Sequence, residues 1–301
     1  MKLSFSPEDE QFRKEIAGWL NANLVGEFEA IKYRGGPGDE HMFHEERLRW
    51  EQKLAEGGWT CVGWPTEHGG RGLSIEQQVI YFEEYARAGA PGRVGHIGEG
   101  LAGPTIIAFG SDEQKKKYLP GIVAGTELWC QGYSEPSAGS DLANVKTKAR
   151  FDEERGKWLI NGQKVWTSGA HYSDYGIVLV RTDPKVPKHK GLTMFIVNMK
   201  QKGVDVRPIH QASGGREFNE VYFDNALTDA SHIVGEVGEG WKTAMATLSY
   251  ERGASTLGQQ MQFRNELDAV IAAANANGAC EAPDIRQRIA KSWAGLRSMR
   301  M

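Results

Sequence analysis

The spacing of apolar residues changes twice along this chain, and those two changes confine it to three successive regions. Up to about residue 125 the pattern is helical. Ser6 can cap a helix with Pro7 at its first position and acids in its first turn. Phe12, Ile16, Trp19 and Leu20 then fall on one stripe. Ser74 with Gln77, and Ser111 with Gln114, have capping-box spacing. The helix after Ser111 is expected to stop at Leu119-Pro120. The turns Gly35-Gly36-Pro37-Gly38 and Gly69-Gly70 separate the helices.

Near residue 126 the period becomes that of strands. Residues 157–160, Asn161-Gly162 and residues 163–166 read as a hairpin, because Asn-Gly accepts the positive φ of a type I′ turn. Residues 175–180, 192–197 and 221–223 are further β-rich runs, and residues 185–190 read as a solvated surface turn. The helical period returns at Trp241, and another helix is expected from Ala282-Pro283 through Ile285 and Ile289. The fold expected is α+β and multidomain. It has an N-terminal helical domain (1–125), a middle β-barrel-like domain (126–235) and an incomplete C-terminal helical bundle (236–301).

Composition narrows the function. With 301 residues, 40% hydrophobic and 25% charged, the chain has the make-up of a globular protein. A net charge of −3 with both signs mixed argues against a nucleic-acid or anionic-membrane partner. No apolar run approaches the ~18 residues of a membrane span, and the polar MKLSFSPEDEQF start carries no secretory signal. The three cysteines, Cys61, Cys130 and Cys280, form no C-x-x-C pair. They point to a reduced cytoplasmic setting with buried thiols, no disulfide framework and no metal site.

Common nucleotide signatures are missing. Neither Gly95-His96-Ile97-Gly98-Glu99-Gly100 nor Gly235-Glu236-Val237-Gly238-Glu239-Gly240 fits G-x-G-x-x-G after a strand, and there is no Walker A loop or H-E-x-x-H. The unusual segment is residues 129–141, from Trp129 to Asp141. Its small residues allow close backbone approach to a flat ligand, and Ser134 and Ser140 offer hydroxyls. It also reads as a tight helix-to-strand loop. Trp166-Thr167-Ser168 combines an aromatic face with two hydroxyls, suited to stacking on and hydrogen-bonding a planar ring, and equally to ordinary packing.

Four motifs in order carry a resemblance: Gly58-Trp59 with Trp64-Pro65-Thr66-Glu67-His68-Gly69-Gly70; Tyr133-Ser134-Glu135-Pro136-Ser137-Ala138-Gly139-Ser140-Asp141; Gly162-Gln163-Lys164-Val165-Trp166-Thr167-Ser168-Gly169; and Phe218-Asn219-Glu220-Val221. Over residues up to about 256 the chain resembles the acyl-CoA dehydrogenase family. The resemblance implies FAD, with Gln131, Tyr133 and Ser134 by its pyrimidine side, Trp166 packed near the ring, and Thr167 and Ser168 by N5 and O4. It also implies that Ser140 touches the pantetheine of an acyl-CoA.

On a 3.6-residue turn, Glu251 shares a face with Trp241, Ala244, Leu248 and Ser255. A carboxylate on an apolar face is expected to have a raised pKa, as a base toward carbon requires; pairing with Arg252 is the local alternative. Glu251-Arg252 is similar to the subset of the family that includes isovaleryl-CoA and heteromeric steroid-side-chain dehydrogenases. There the resemblance makes Glu251 the base and Arg252 a substrate contact, while Ser249 stands where many relatives have aspartate. It implies α,β-desaturation to a trans-2-enoyl-CoA, an electron-transfer flavoprotein as acceptor, and a homo- or hetero-oligomer in fatty acid or sterol catabolism. Two departures are a short C-terminal bundle and Ala274-Asn275-Ala276-Asn277-Gly278 in place of Arg-x-x-Phe-Gly. They keep two other readings open: a non-catalytic partner subunit, and a flavin oxidase or monooxygenase.

Overall fold

The computed structural model describes residues 5–36, 38–251 and 258–299. Five helices come first: α1 (Pro7–Asn23), α2 (His44–Glu56), α3 (Ile75–Arg87), α4 (Gly103–Phe109) and α5 (Asp112–Val123). Seven strands follow: β1 (Trp129–Gly132), β2 (Lys148–Asp152), β3 (Lys157–Lys164), β4 (Tyr175–Arg181), β5 (Leu192–Asn198), β6 (Val204–Pro208) and β7 (Asn219–Thr228). The chain returns to helix in α6 (Gly240–Tyr250), α7 (Gln259–Ala276) and α8 (Pro283–Met299). The order is the expected one: helical, β, helical.

Local chemistry explains the helix starts. Ser6, Ser74 and Ser111 each accept from the N3 backbone N–H while the N3 side chain returns a bond to the cap. The expected stop at Pro120 is overturned, because α5 continues through it to Val123. Proline costs one backbone hydrogen bond there, but Tyr118, Leu119 and Ile122 are all buried, and that packing carries the helix another turn.

The Asn161-Gly162 hairpin is also overturned. Both residues lie inside β3, where its register against β7 shifts between Ile160 and Gly162. This is a β-bulge. Asn161 Oδ1 accepts from the Asn225 backbone N–H at 3.0 Å, and Asn225 takes a φ of +51° opposite it. The actual hairpin joins β2 to β3, and its turn is seeded by Asp152 Oδ1, which accepts from the N–H groups of Glu154 and Arg155.

The residues form two compact units, one drawn from segments 1–32, 73–90 and 253–301, the other from 33–72 and 91–252. In the first, Phe12, Ile16 and Leu20 of α1 and Ile80, Tyr81 and Tyr85 of α3 are buried. Arg13 Nη1 donates to Glu84 at 2.6 Å and Glu83 at 3.2 Å. Asn265 of α7 caps the Ala86 carbonyl of α3 at 2.7 Å.

The second unit is built on the sheet, ordered β1-β4-β2-β3-β7-β6, with β5 on the other edge of β4. Both faces of β4 and β5 are covered, which is why these strands read as unbroken apolar runs. Ile177 and Leu179 pack with Tyr118, Ile122, Trp129 and Ala244, whereas Val178 and Val180 pack with Cys130, Phe195, Val197 and Val221. Among the described residues no helix is long and apolar enough to cross a membrane.

Candidate active site

The site grows from two chain segments that leave the sheet side by side, residues 131–134 at the end of β1 and just beyond it, and residues 165–168 after β3. Val165 N–H donates to Ser134 C=O at 2.9 Å, which holds them together. Trp166 then takes a φ of +61°, a conformation that bulky side chains rarely adopt. The kink turns its ring outward, 58% exposed, edge-on to Phe218 with centroids 5.9 Å apart. Beyond the kink, Thr167 is drawn back inside. Its N–H donates to Asn219 C=O at 3.1 Å, and its C=O accepts from Asn219 Nδ2 at 2.9 Å.

Three polar atoms here, Gln131 Nε2, Tyr133 Oη and Thr167 Oγ1, are buried with no well-formed hydrogen bond among the described residues; the Tyr133 hydroxyl has Thr247 and Gln131 as looser polar neighbours. Such groups each cost roughly 1–3 kcal/mol when left unpaired. Burial pushes the Tyr133 phenol well above its ordinary range; Thr247 and Gln131 beside it oppose the shift and the charge of Glu251 adds to it. Glu251 therefore lies within electrostatic range of the phenol. Behind Tyr133, Thr247 Oγ1 lies 2.8 Å from Thr105 Oγ1; one of the two hydroxyls donates to the other, which donates to the carbonyl one turn back, Thr243 or Leu101. Leu101 belongs to a π-helical turn, Gly98–Ala102, that leads into α4.

Glu251 forms the C-cap of α6 and is exposed. Ala244 on its face is fully buried, but the apolar enclosure expected around the carboxylate is not provided by the described residues. Helix periodicity placed the face correctly and overlooked that α6 ends at Tyr250. Arg252 and Ser255 lie outside the described residues. Ser134 and Ser168 are half-buried at the two segment ends, and Ser140 is exposed further along its loop, next to Asp141, which pairs with Lys188 at 2.7 Å. Gln131, Tyr133, Ser134, Trp166, Thr167 and Ser168 are thus neighbours in the fold, with Glu251 within electrostatic range of Tyr133.

Sequence reasoning missed a buried ion pair behind these segments. Lys164, the last residue of β3, is 0% exposed, and its Nζ donates to Glu135 Oε1 and to Tyr133 C=O, both at 2.9 Å. Burial pulls the Lys164 ammonium down to about 8 against the opposing pull of Glu135. Burial alone would raise the Glu135 carboxyl, but Lys164 and the Lys146 and Thr147 N–H groups hold it below its ordinary range. A lysine on a strand ordinarily reads as exposed, so its only signal was strand alternation. Thr105, Thr247 and the anchoring role of Asn219 carried no signal at all.

The arrangement suits a planar ligand rich in polar edges: an exposed indole to pack against, three inward polar atoms awaiting partners, and a carboxylate at the rim. Among the described residues, no group of three or more His, Cys, Asp or Glu can hold a metal ion.

Comparison with known proteins gives the family to which the chain belongs. The N-terminal domain of acyl-CoA dehydrogenases matches residues 6–126, and the middle domain of the same family matches residues 130–226. Acyl-CoA dehydrogenase IpdE1 of Mycobacterium tuberculosis is 55% identical over 291 residues, covering 97% of this chain and 75% of that protein. Among solved structures, the Tcur3481-Tcur3483 steroid ACAD superposes with a TM-score of 0.87 at 34% identity, over 100% of this chain and 75% of that one. The ChsE4-ChsE5 complex from Mycobacterium tuberculosis gives 0.78 at 31%, over 99% and 75%. With both domains matched in order and a relative alike over most of each chain, the protein belongs to the acyl-CoA dehydrogenase family and is an oxidoreductase.

Proposed function

We propose that this chain binds FAD at the segments 131–134 and 165–168 and carries out α,β-desaturation of an acyl-CoA thioester to a trans-2-enoyl-CoA. The observation that carries the reading is the set of buried atoms with no well-formed hydrogen bond among the described residues, Gln131 Nε2, Tyr133 Oη and Thr167 Oγ1, which match a ring with donors and acceptors along its edge. When bound, FAD supplies the two-electron oxidant that the chain's own side chains lack.

The chain's residues do the rest. Trp166 offers its exposed ring as a wall for the cofactor, and Ser134 and Ser168 stand at the segment ends with hydroxyls to spare. Ser140 lies on the loop that would meet the pantetheine, and Arg252 is assigned to the substrate. Glu251, at the rim by Tyr133, accepts the proton from the carbon next to the thioester carbonyl. Its exposure supports a site that is closed by the acyl group or by another subunit, since a base toward carbon works best out of water.

Two solved relatives carry paired names, Tcur3481-Tcur3483 and ChsE4-ChsE5, and the second is described as a complex. They support an oligomer of unlike subunits and, through the word steroid in the first, a bulky polycyclic acyl group. An electron-transfer flavoprotein is the acceptor that fits such an oxidoreductase.

The test is turnover of the purified full chain, with any subunit that accompanies it, on straight, branched and steroid acyl-CoAs with a dye acceptor. Glu251→Gln should lower turnover by about 10²-fold or more while the bound flavin spectrum stays unchanged. Wild-type turnover in that variant rules out Glu251 as base. A purified protein that takes up no flavin rules out the whole reading.

A further inference from the structure

Lys164 and Glu135 sit behind the ligand-facing loop, both buried, and meet the site only through the main chain at Tyr133 C=O. Taking two charges out of water is costly, and an apolar pair of similar volume is often neutral or better for stability. A buried pair kept in such a place is therefore a feature to explain.

Its bonds show what it holds. One Lys164 Nζ reaches both Tyr133 C=O and Glu135, and Glu135 in turn accepts from Lys146 N–H at 2.6 Å and Thr147 N–H at 2.9 Å. Three segments meet through four hydrogen bonds: the end of β3, the loop after β1, and the approach to β2. The loop between, Pro136 to Asp141, contributes only the short Glu135–Ala138 bridge of its own.

The bond to Tyr133 C=O has a directional consequence. A trans peptide sets N–H opposite C=O, so pulling the Tyr133 carbonyl toward Lys164 turns Ser134 N–H the other way. No hydrogen bond among the described residues uses that N–H, whereas Ser134 C=O is taken by Val165 N–H on the sheet side. The peptide is thus clamped from the sheet, with its free donor facing outward.

We propose that the Lys164–Glu135 pair is a positioning device that fixes the Tyr133–Ser134 peptide plane and presents Ser134 N–H to the ligand. Resting on the FAD reading above, it makes Ser134 N–H a main-chain donor to the ring edge, with Lys164 and Glu135 acting only through it.

The experiment compares the full chain, with any accompanying subunit, as wild type, Lys164→Met, and the double variant Glu135→Gln with Lys164→Met. The single variant strands a buried carboxylate and is expected to fold poorly. The double variant removes both charges but sets the new amide NH2 against one of the two backbone N–H groups that Glu135 accepts from, so it should melt below wild type and well above the single variant. It still lacks the bond to Tyr133 C=O. Its FAD affinity should drop by about tenfold or more, on the scale of one charged hydrogen bond, and the visible flavin band should shift. In the ligand-free protein, amide exchange across residues 133–147 should quicken about tenfold relative to wild type, the same scale, with β4 unchanged. Wild-type affinity, spectrum and exchange in the double variant overturn the proposal. If wild type takes up no FAD, the reading of the site fails instead, and the exchange rates of the ligand-free loop still decide whether the pair positions it.

Discussion

Thr167 shows how much a single residue can carry. Its hydroxyl is buried beside ligand-facing groups with no partner among the described residues, so a ligand-free protein is destabilised by it. Thr167→Val keeps the shape and removes the hydroxyl. It should raise the ligand-free protein's stability by about 1 kcal/mol and weaken FAD binding. Melting curves with and without FAD check both halves, and a less stable ligand-free variant would show that the hydroxyl is satisfied after all. Sequence named Thr167 and Ser168 together as two hydroxyls after an aromatic. Which of them turns inward is set by the +61° φ at Trp166 and by the two bonds from Asn219, and neither is visible in residue order.

At the scale of elements, what could be read depended on how local the cause was. Helix starts were legible because a capping box closes within one turn, and Ser6, Ser74 and Ser111 all form one. Strands β4 and β5 were legible because burial on both faces makes an apolar run. Pro120 and Asn161-Gly162 misled because tertiary packing overrode a local preference in each. The bulge at Gly162 yields a sharp prediction. Its φ is +146°, and an added Cβ would stand 2.5 Å from Thr147 Oγ1 and 2.6 Å from Thr147 Cα. Gly162→Ala should cost about 2–3 kcal/mol. Because Thr147 N–H is one of the two backbone donors to Glu135, the damage should spread to residues 133–135. Denaturant unfolding measures the first effect, and amide exchange across the loop measures the second. A neutral Gly162→Ala would mean the bulge relaxes without cost.

For the molecule as a whole, stability should rise with pH through two separate windows, one acidic and one beginning near pH 8. Glu51 is buried, and burial alone would raise its carboxyl. Arg93, bonded at 2.6 Å, and the Val94 and Gly95 N–H groups hold it below the ordinary value of 4.5, as Lys164 and two N–H groups do for Glu135. The unfolded chain therefore binds more protons than the folded one as pH falls below 4.5. Stability present above that pH is lost on acidification, at up to about 1.4 kcal/mol per pH unit for each group. Lys164 acts at the other end. Its folded value is about 8 against an ordinary 10.5, so between these the folded chain has released a proton that the unfolded chain retains. By the same sign, stability contributed there grows as pH rises from about 8 toward 10.5. Chemical unfolding of wild type at closely spaced pH values should show the acid slope and, between about pH 8 and 9, the Lys164 rise. Beyond that the buried Cys61 and Cys130 thiols and the Tyr118 phenol, held above their ordinary values, turn the curve down. In the double variant Glu135→Gln with Lys164→Met the acid slope should shrink by the share of Glu135, with Glu51, Asp39 and Glu113 remaining, and the rise above pH 8 should vanish. An unchanged alkaline slope in that variant would assign the proton to some other group and leave Lys164 neutral or paired throughout.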